Sequence, residues 1–136
     1  MSAAAVIDVA AGLVFRDGRL LITQRKAGSH LAGLWEFPGG KRHEGEGWED
    51  CLRRELREEL AIEVSVGRVF DEVTHAYPAK TVHLRFFVCT LPAGEPQPLD
   101  CAALGWVTAP ELAAYNFPPA DAQLLVALPT APEFQR

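Results

Sequence analysis

Three glutamates, Glu55, Glu58 and Glu59, fall within a single helical turn of the segment FPGGKRHEGEGWEDCLRRELREELAIEV, residues 37–64, with Glu46 before them and Gly39-Gly40 earlier still. Like charges held this close repel, and a cation relieves them best. Clustered carboxylate oxygens suit hard divalent ions, Mg2+ or Mn2+. The sequence offers no His/Cys cluster that would point to zinc instead. Such a site serves attack of water on a phosphate ester or anhydride, where charge on the phosphates must be offset. Two plainer readings stand beside this one. A charge-rich helix is often a solvated face, and a Gly-Gly pair is often an ordinary turn.

Helix geometry separates these readings. With Trp48 at zero and ~100° per residue, Leu52, Leu56 and Leu60 fall at roughly 40°, 80° and 120° and form an apolar stripe. Glu55, Glu59 and Glu58 then fall near roughly 340°, 20° and 280°. The acidic patch therefore borders the core, where repulsion is less screened, and does not occupy the far polar face. The helix is expected over about Trp48 to Leu60. Arg54 and Glu58 form a favourable i,i+4 pair on it. Glu46, just ahead of the helix, can reach back to Arg54 or hold water on a metal. Gly39-Gly40 lets the backbone approach a ligand, and a carbonyl there can add an oxygen donor.

The flanking elements must hold this segment in place. VIDVAAGLVF and LLITQR, joined by Asp17-Gly18, read as a β-hairpin. AGSHLAGLWEFPGG is a long glycine-rich loop of the kind that carries function. IEVSVGRVFDEVTHAY and TVHLRFFVCTL read as strands, and ALGWVT as a short one. APELAAY and FPPADAQLLVAL read as helices, with Pro110 and Pro119 near their starts. The tail from about residue 129 to 136 is expected to fray. The order β, β, α, β, β, β, α, α lacks strict βαβ alternation. It predicts a single α/β (α+β) domain over residues 1–136, with a mixed sheet covered by helices on both faces.

Composition narrows the classes. The chain has 136 residues, 49% of them hydrophobic, and a net charge of −5. No basic face suggests a nucleic-acid polymer as partner. The N-terminal MSAAAVIDVAAGLVF lacks a basic leader and is interrupted by Asp8, so it reads as a core strand and not a signal peptide. No apolar run reaches the ~18 residues of a membrane span. Cys51, Cys89 and Cys101 are scattered and read as buried thiols in a reducing compartment. A cytoplasmic protein, monomeric by the default for small domains, is expected.

The run Gly40, Glu46, Arg54-Glu55-Leu56, Glu58-Glu59 and Ala61-Ile62 resembles, at its spacing, the Nudix box. GLWEFPGGK, ITQRK and FPPAD extend the likeness to the MutT branch of that family and across nearly the whole chain. One position departs, because Ala61 stands where the family has Gly just past the helix. A side chain there should cost about 1 kcal/mol. The resemblance implies an α/β/α sandwich around a mixed sheet, dependence on Mg2+ or Mn2+, and cleavage of a nucleoside triphosphate to monophosphate and pyrophosphate. It implies that Glu55, Glu58 and Glu59 bind metal, with the Gly40 carbonyl as a further ligand. Arg54 would orient the carboxylates, Glu46 would assist at the metal shell, and Lys41 would meet a phosphate. A late-loop acid joins the site in the MutT branch. Asp100 stands there by co-linear spacing, and Glu95 in the same loop is its rival.

Base choice lies outside the box. Arg25 matches an arginine flanking the nucleotide in the MutT branch, and Tyr77 and Phe86 are candidates to pack near the base. Asp121 follows FPPA where that branch carries Asn, whose amide both donates and accepts. An ionised Asp only accepts, from guanine N1–H and N2–H2 or from cytosine N4–H2; a protonated one also donates. Asp121 as a helix cap and Asn116 as the reader are the alternatives. The implied substrate is 8-oxo-dGTP. CTP or dCTP is the second reading, because a CTP-cleaving relative carries Asp in a similar APAD context. A non-catalytic module that recognises oxidised guanine is the third; it expects a degraded box, and here every acidic position is present.

Overall fold

The computed structural model describes residues 5–135, so the first four residues of the N-terminal apolar segment lie outside the description. Strand β1, Val6–Arg16, turns back through Asp17 and Gly18 into β2, Arg19–Gln24. Both turn residues have positive φ, 51° and 72°, as the tight Asp-Gly hairpin requires. Two short strands follow, β3 (Trp35–Glu36) on β2 and β4 (Gly39–Lys41) on β1. Sequence pattern alone reads this segment as a loop. Strands of two and three residues carry no periodicity, and only pairing with a formed hairpin defines them.

Helix α1 spans Trp48–Leu60. Strands β5 (Ser65–Tyr77), β6 (Lys80–Thr90) and β7 (Ala103–Val107) follow, and α2 spans Ala122–Ala127. The sheet order is β3-β2-β1-β6-β5, with β4 also on β1 and β7 also on β2. β1 and β6 run parallel and the other pairs antiparallel, so the sheet is mixed as expected.

Alternation along the strands sends side chains to two cores. On one face Leu52, Leu56 and Leu60 of α1, all 0% exposed, pack with Ala10, Val14, Leu21 and Phe87. The apolar stripe read from helix angles is therefore the buried one. On the other face Leu13, Phe15, Ile22, Phe86 and Val88 pack with Leu112, Leu124, Leu128 and Phe134 from the C-terminal segments. The sheet lies between them as the middle layer.

Four sequence expectations need correction. β5 begins at Ser65, because Ile62 and Val64 are buried in the connection from α1. The APELAAY segment forms a 3-10 helix, Pro110–Ala114. The last helix is one α segment between 3-10 turns at Pro119–Asp121 and Leu128–Thr130; proline lacks the N–H that a continuous helix needs. The tail does not fray over its described part. Pro132–Gln135 is helical, Phe134 meets Phe15 edge-to-face at 5.0 Å, and buried Glu133 takes a two-point bond from Arg68.

Ala61 ends α1 with φ 56° and ψ 38°, the left-handed conformation anticipated for the family's Gly. Its N–H bonds the Arg57 carbonyl at 3.0 Å, and the Ile62 N–H returns to Leu56 at 3.5 Å. The left-handed state costs a Cβ-bearing residue about 1–2 kcal/mol, while Gly loses about 0.4–1 kcal/mol more in chain entropy. Ala61→Gly should therefore stabilise the fold by about 0.5–1 kcal/mol, or about 2–4 °C in Tm. An unchanged or lower melting temperature would contradict strain at this cap.

Candidate active site

The site is organised around the Arg54 guanidinium. Its Nε and Nη2 donate to the two oxygens of Glu46 at 2.7 and 3.0 Å. Nη2 also donates to the Lys41 carbonyl at 3.0 Å, and Nη1 to Glu55 at 2.9 Å and more weakly to Glu58 at 3.4 Å. One planar cation thus ties the loop before α1, the end of β4 and the helix itself, as the guanidinium fork allows. Glu46 also accepts the His43 N–H at 3.0 Å, and Arg42 Nη1 donates to the Glu46 carbonyl at 2.9 Å. The Arg54 hydrogen bonds, followed by that of His43, hold Glu46 down at about 2. Of the two roles the sequence allowed Glu46, contact with Arg54 is the one the structure displays. Arg54 is held above its ordinary value, first by Glu46.

Gly40 is required here by space. A Cβ on it would stand 2.3–2.6 Å from the Glu55 carboxylate. Its carbonyl accepts a weak Cys51 thiol contact at 3.6 Å. Glu55 is pushed above the usual carboxylate range by burial, with Arg54 opposing. Glu59 is pushed up to about 9 by burial and then by Glu36, Glu55 and Asp100, while the Gly39 N–H works the other way. Glu58 is the outlying member, its side chain 58% exposed.

Among the described residues no three acidic, His or Cys side chains converge as a ready metal site. Arg54, reaching Glu55 and Glu58 together, partly fills the role of a cation. The donor set still fits a hard divalent ion: it consists of carboxylate oxygens, and the partly buried pair Glu55 and Glu59 carries repulsion that such an ion would relieve.

Beside Glu59 opens a cavity of about 280 Å3. Its apolar wall is Ile7, Val9 and Ala11 of β1 with Val82, Leu84 and Phe86 of β6. Gly39, Gly40, Lys41 and Glu59 border it, and so do Arg25, Glu36, Tyr77 and Asp121. Glu59 of the carboxylate cluster thus shares one cavity with Arg25, Tyr77, Phe86 and Asp121 of the base-reading candidates. Asp121 is 6% exposed, makes no side-chain hydrogen bond to a protein group among the described residues, and does not cap α2 with its side chain. Burial, then Glu36, pushes it up to about 7. Tyr77 stands between His30 and His75, edge-on at 5.4 and 4.6 Å. Phe86 is 1% exposed, so it offers a wall and little more.

The other expected residues separate clearly. Arg25 binds Glu36 at 2.7 Å and the His30 carbonyl. Asp100 stands next to the C-terminal end of α1, its N–H on the Glu59 carbonyl at 3.3 Å. Glu95 is elsewhere, paired with Arg16 at 3.0 Å, so of the two rivals only Asp100 borders the site. Asn116 is exposed and absent from the cavity wall; its carbonyl accepts the Trp35 N–H at 2.8 Å. Glu36 was missed by the sequence reading. It is pushed upward by burial against the pull of Arg25, and it faces both Glu59 and Asp121. A single acid between Trp35 and Phe37 was the available signal.

A family model described as NUDIX domain matches residues 10–127. The CTP pyrophosphohydrolase of Escherichia coli strain K12 is 39% identical over 122 residues, 90% of each chain. The putative 8-oxo-dGTP diphosphatase 2 of Mycobacterium tuberculosis is 43% identical over 114 residues, 83% of this chain and 81% of the relative. The solution structure of the E. coli ORF135 protein superposes with a TM-score of 0.78 at 38% identity, covering 92% of this chain and 89% of that one.

Asp121 predicts a pH dependence of stability. Its folded value, about 7, lies above the ordinary 3.8. Below the ordinary value both states hold the proton and nothing is lost. Between the two values the unfolded chain releases the proton and the folded one keeps it, so stability falls as pH rises; above about 7 the loss is complete. Asp121→Asn should therefore gain stability relative to the native chain between pH 4 and 7, by up to about 4 kcal/mol, with no further gain above. Thermal melts across pH test this, and a difference independent of pH would sink it.

Proposed function

The chain belongs to the NUDIX domain family of hydrolases, and we propose that it is a Mg2+-dependent nucleoside triphosphate pyrophosphohydrolase acting on 8-oxo-dGTP, with nucleotide-pool sanitation as its role. The observation that carries this reading is the cavity itself: Glu59, the member of the acidic cluster that lines it, and the buried Asp121 carboxyl, without a side-chain hydrogen bond among the described residues, border the same apolar slot. A nucleotide has this division, a polyphosphate at one end and a flat base with donors and acceptors at the other.

Glu55, Glu58 and Glu59 would hold the divalent cation, with the Gly40 carbonyl able to join them. A bound cation would offset charge on the triphosphate and lower the pKa of the attacking water. Arg54 keeps Glu55 and Glu58 oriented, and Glu46 keeps Arg54 in plane. Lys41 at the cavity border would meet a phosphate, Arg25, held by Glu36, would flank the nucleotide, and Asp100 would join the site beside Glu59. The sheet wall, Phe86 included, would exclude water from one side of the base, and Tyr77 on the lining would pack near it. Water attack at phosphorus then releases the monophosphate and pyrophosphate. Three free cysteines, two of them buried, are in keeping with a reducing, cytoplasmic setting.

Asp121 favours a second reading. Near neutral pH its carboxyl is present in both forms. Protonated, it donates to guanine O6 or cytosine N3; ionised, it accepts from guanine N1–H or cytosine N4–H2. This suits cytosine as well as guanine, and the 39%-identical relative is named for CTP. The two readings share their chemistry and differ in the base.

Side-by-side kcat/KM values for 8-oxo-dGTP, dGTP, CTP and dCTP, with pyrophosphate identified as product, separate them. The main reading expects 8-oxo-dGTP to exceed dGTP by a wide margin; higher values for the cytosine nucleotides select the second. EDTA should abolish turnover for either base. Glu58→Gln or Glu59→Gln should lower kcat by orders of magnitude in a folded protein, and Glu46→Gln, acting through Arg54, by about 10–100-fold. Near-native turnover in folded Glu59→Gln would overturn the assignment of the acidic cluster.

A further inference from the structure

We propose that Lys26 is a positioning residue that holds the Asp100 carboxylate beside Glu59, and that it influences turnover through Asp100 and not by touching the substrate. This rests on the reading of Asp100 as a member of the site. A second, smaller cavity of about 120 Å3 lies against Glu59, bordered by Arg25, Lys26, Ser29, Glu36, Glu59 and Asp100. Three of these six are carboxylates. Arg25, one of the two cations, is committed to Glu36 and the His30 carbonyl. Lys26 is thus the cation left for Asp100 among the residues bordering this cavity, and its Nζ contacts Asp100 Oδ1.

The backbones of both partners are fixed. The Leu99 and Asp100 N–H groups bond the Glu59 carbonyl at 3.0 and 3.3 Å, which docks the loop before β7 on the end of α1. Lys26 begins a turn in which its carbonyl accepts the Ser29 N–H at 3.3 Å and the Ser29 hydroxyl at 2.6 Å. What these bonds leave open is the Asp100 side-chain rotamer. Like charge on Glu59 and Asp100 repels, and the Asp100 side chain is 55% exposed. The Lys26 ammonium opposes the repulsion. A half-exposed ion pair contributes little to global stability, so its effect is on which way Asp100 points. The MutT-like resemblance assigns Lys26 no role.

The test measures kcat and KM for 8-oxo-dGTP and CTP with Mg2+ in Lys26→Met, Lys26→Arg, Asp100→Asn and the double variant Lys26→Met/Asp100→Asn. Lys26→Met should lower kcat about fivefold, the population change such an ion pair can make, with KM moved less. Lys26→Arg should recover most of the loss. In the Asp100→Asn background Lys26→Met should add nothing, because its partner is already gone. A crystal structure of Lys26→Met should show Asp100 turned away from Glu59. A loss that persists in the double variant would make Lys26 a direct substrate contact and overturn the proposal; so would native kcat in Lys26→Met, or Asp100 still in place. Native turnover in Asp100→Asn would instead remove the reading of Asp100 itself, a result distinguishable from failure of Lys26 alone.

Discussion

The Arg54 guanidinium is the constraint on which the site depends. It is planar and always charged, and its three nitrogens serve Glu46, Glu55, Glu58 and the Lys41 carbonyl together. The loop of residues 42–47 has few apolar contacts of its own. Its anchors are polar: Glu46 on Arg54, and Arg42 on Asp8 at 2.6 Å. Without Arg54, Glu46 and Glu55 would lose their compensating charge and the loop would lose its tie to α1. A lysine at this position would preserve charge and lose the fork. The same cation offsets the repulsion between Glu55 and Glu58.

The second determinant is burial of acids. Glu59, Glu36 and Asp121 all border one cavity and all are shifted upward, each with burial as the first cause. Holding carboxyls in such surroundings opposes folding at neutral pH. The cores on the two sheet faces supply what offsets it. Leu52, Leu56 and Leu60 bury completely while Glu55 and Glu59 stand on the adjacent strip of the same helix. The helix therefore anchors itself in the core and presents acids at the core's edge. Ala61 at its end adds a small strain of its own, which the packed Leu60 and Ile62 on either side of it tolerate.

Much of this was legible along the chain because it is local. The period of 3.6 residues places Leu52, Leu56 and Leu60 on one stripe and the glutamates beside it, and no distant contact is needed to see it. The Asp-Gly turn is legible for the same reason. β3 and β4 were not legible: whether Trp35-Glu36 and Gly39–Lys41 become strands depends on β1 and β2 already being paired. The docked C-terminus was hidden too, since PTAPEFQR has turn-like composition and its burial comes from Phe15 and Arg68, both more than fifty residues away.

What the sequence determined by itself was the chemistry class: carboxylates at one helical spacing, a glycine ahead of them, an arginine among them. Those features are set by the period of a single helix. What only the tertiary structure decided was which distant residues join them. Asp100 and not Glu95 borders Glu59 because backbone N–H groups of its loop bind the end of α1, while Glu95 is drawn away by Arg16. Glu36 enters the cavity because β3 pairs with β2, and Asp121 enters because a proline-started turn buries it opposite the sheet wall. Asn116, only five positions earlier, is left in solvent. Sequence distance does not encode these juxtapositions, because they arise from strand pairing and packing between segments that meet only in the folded chain.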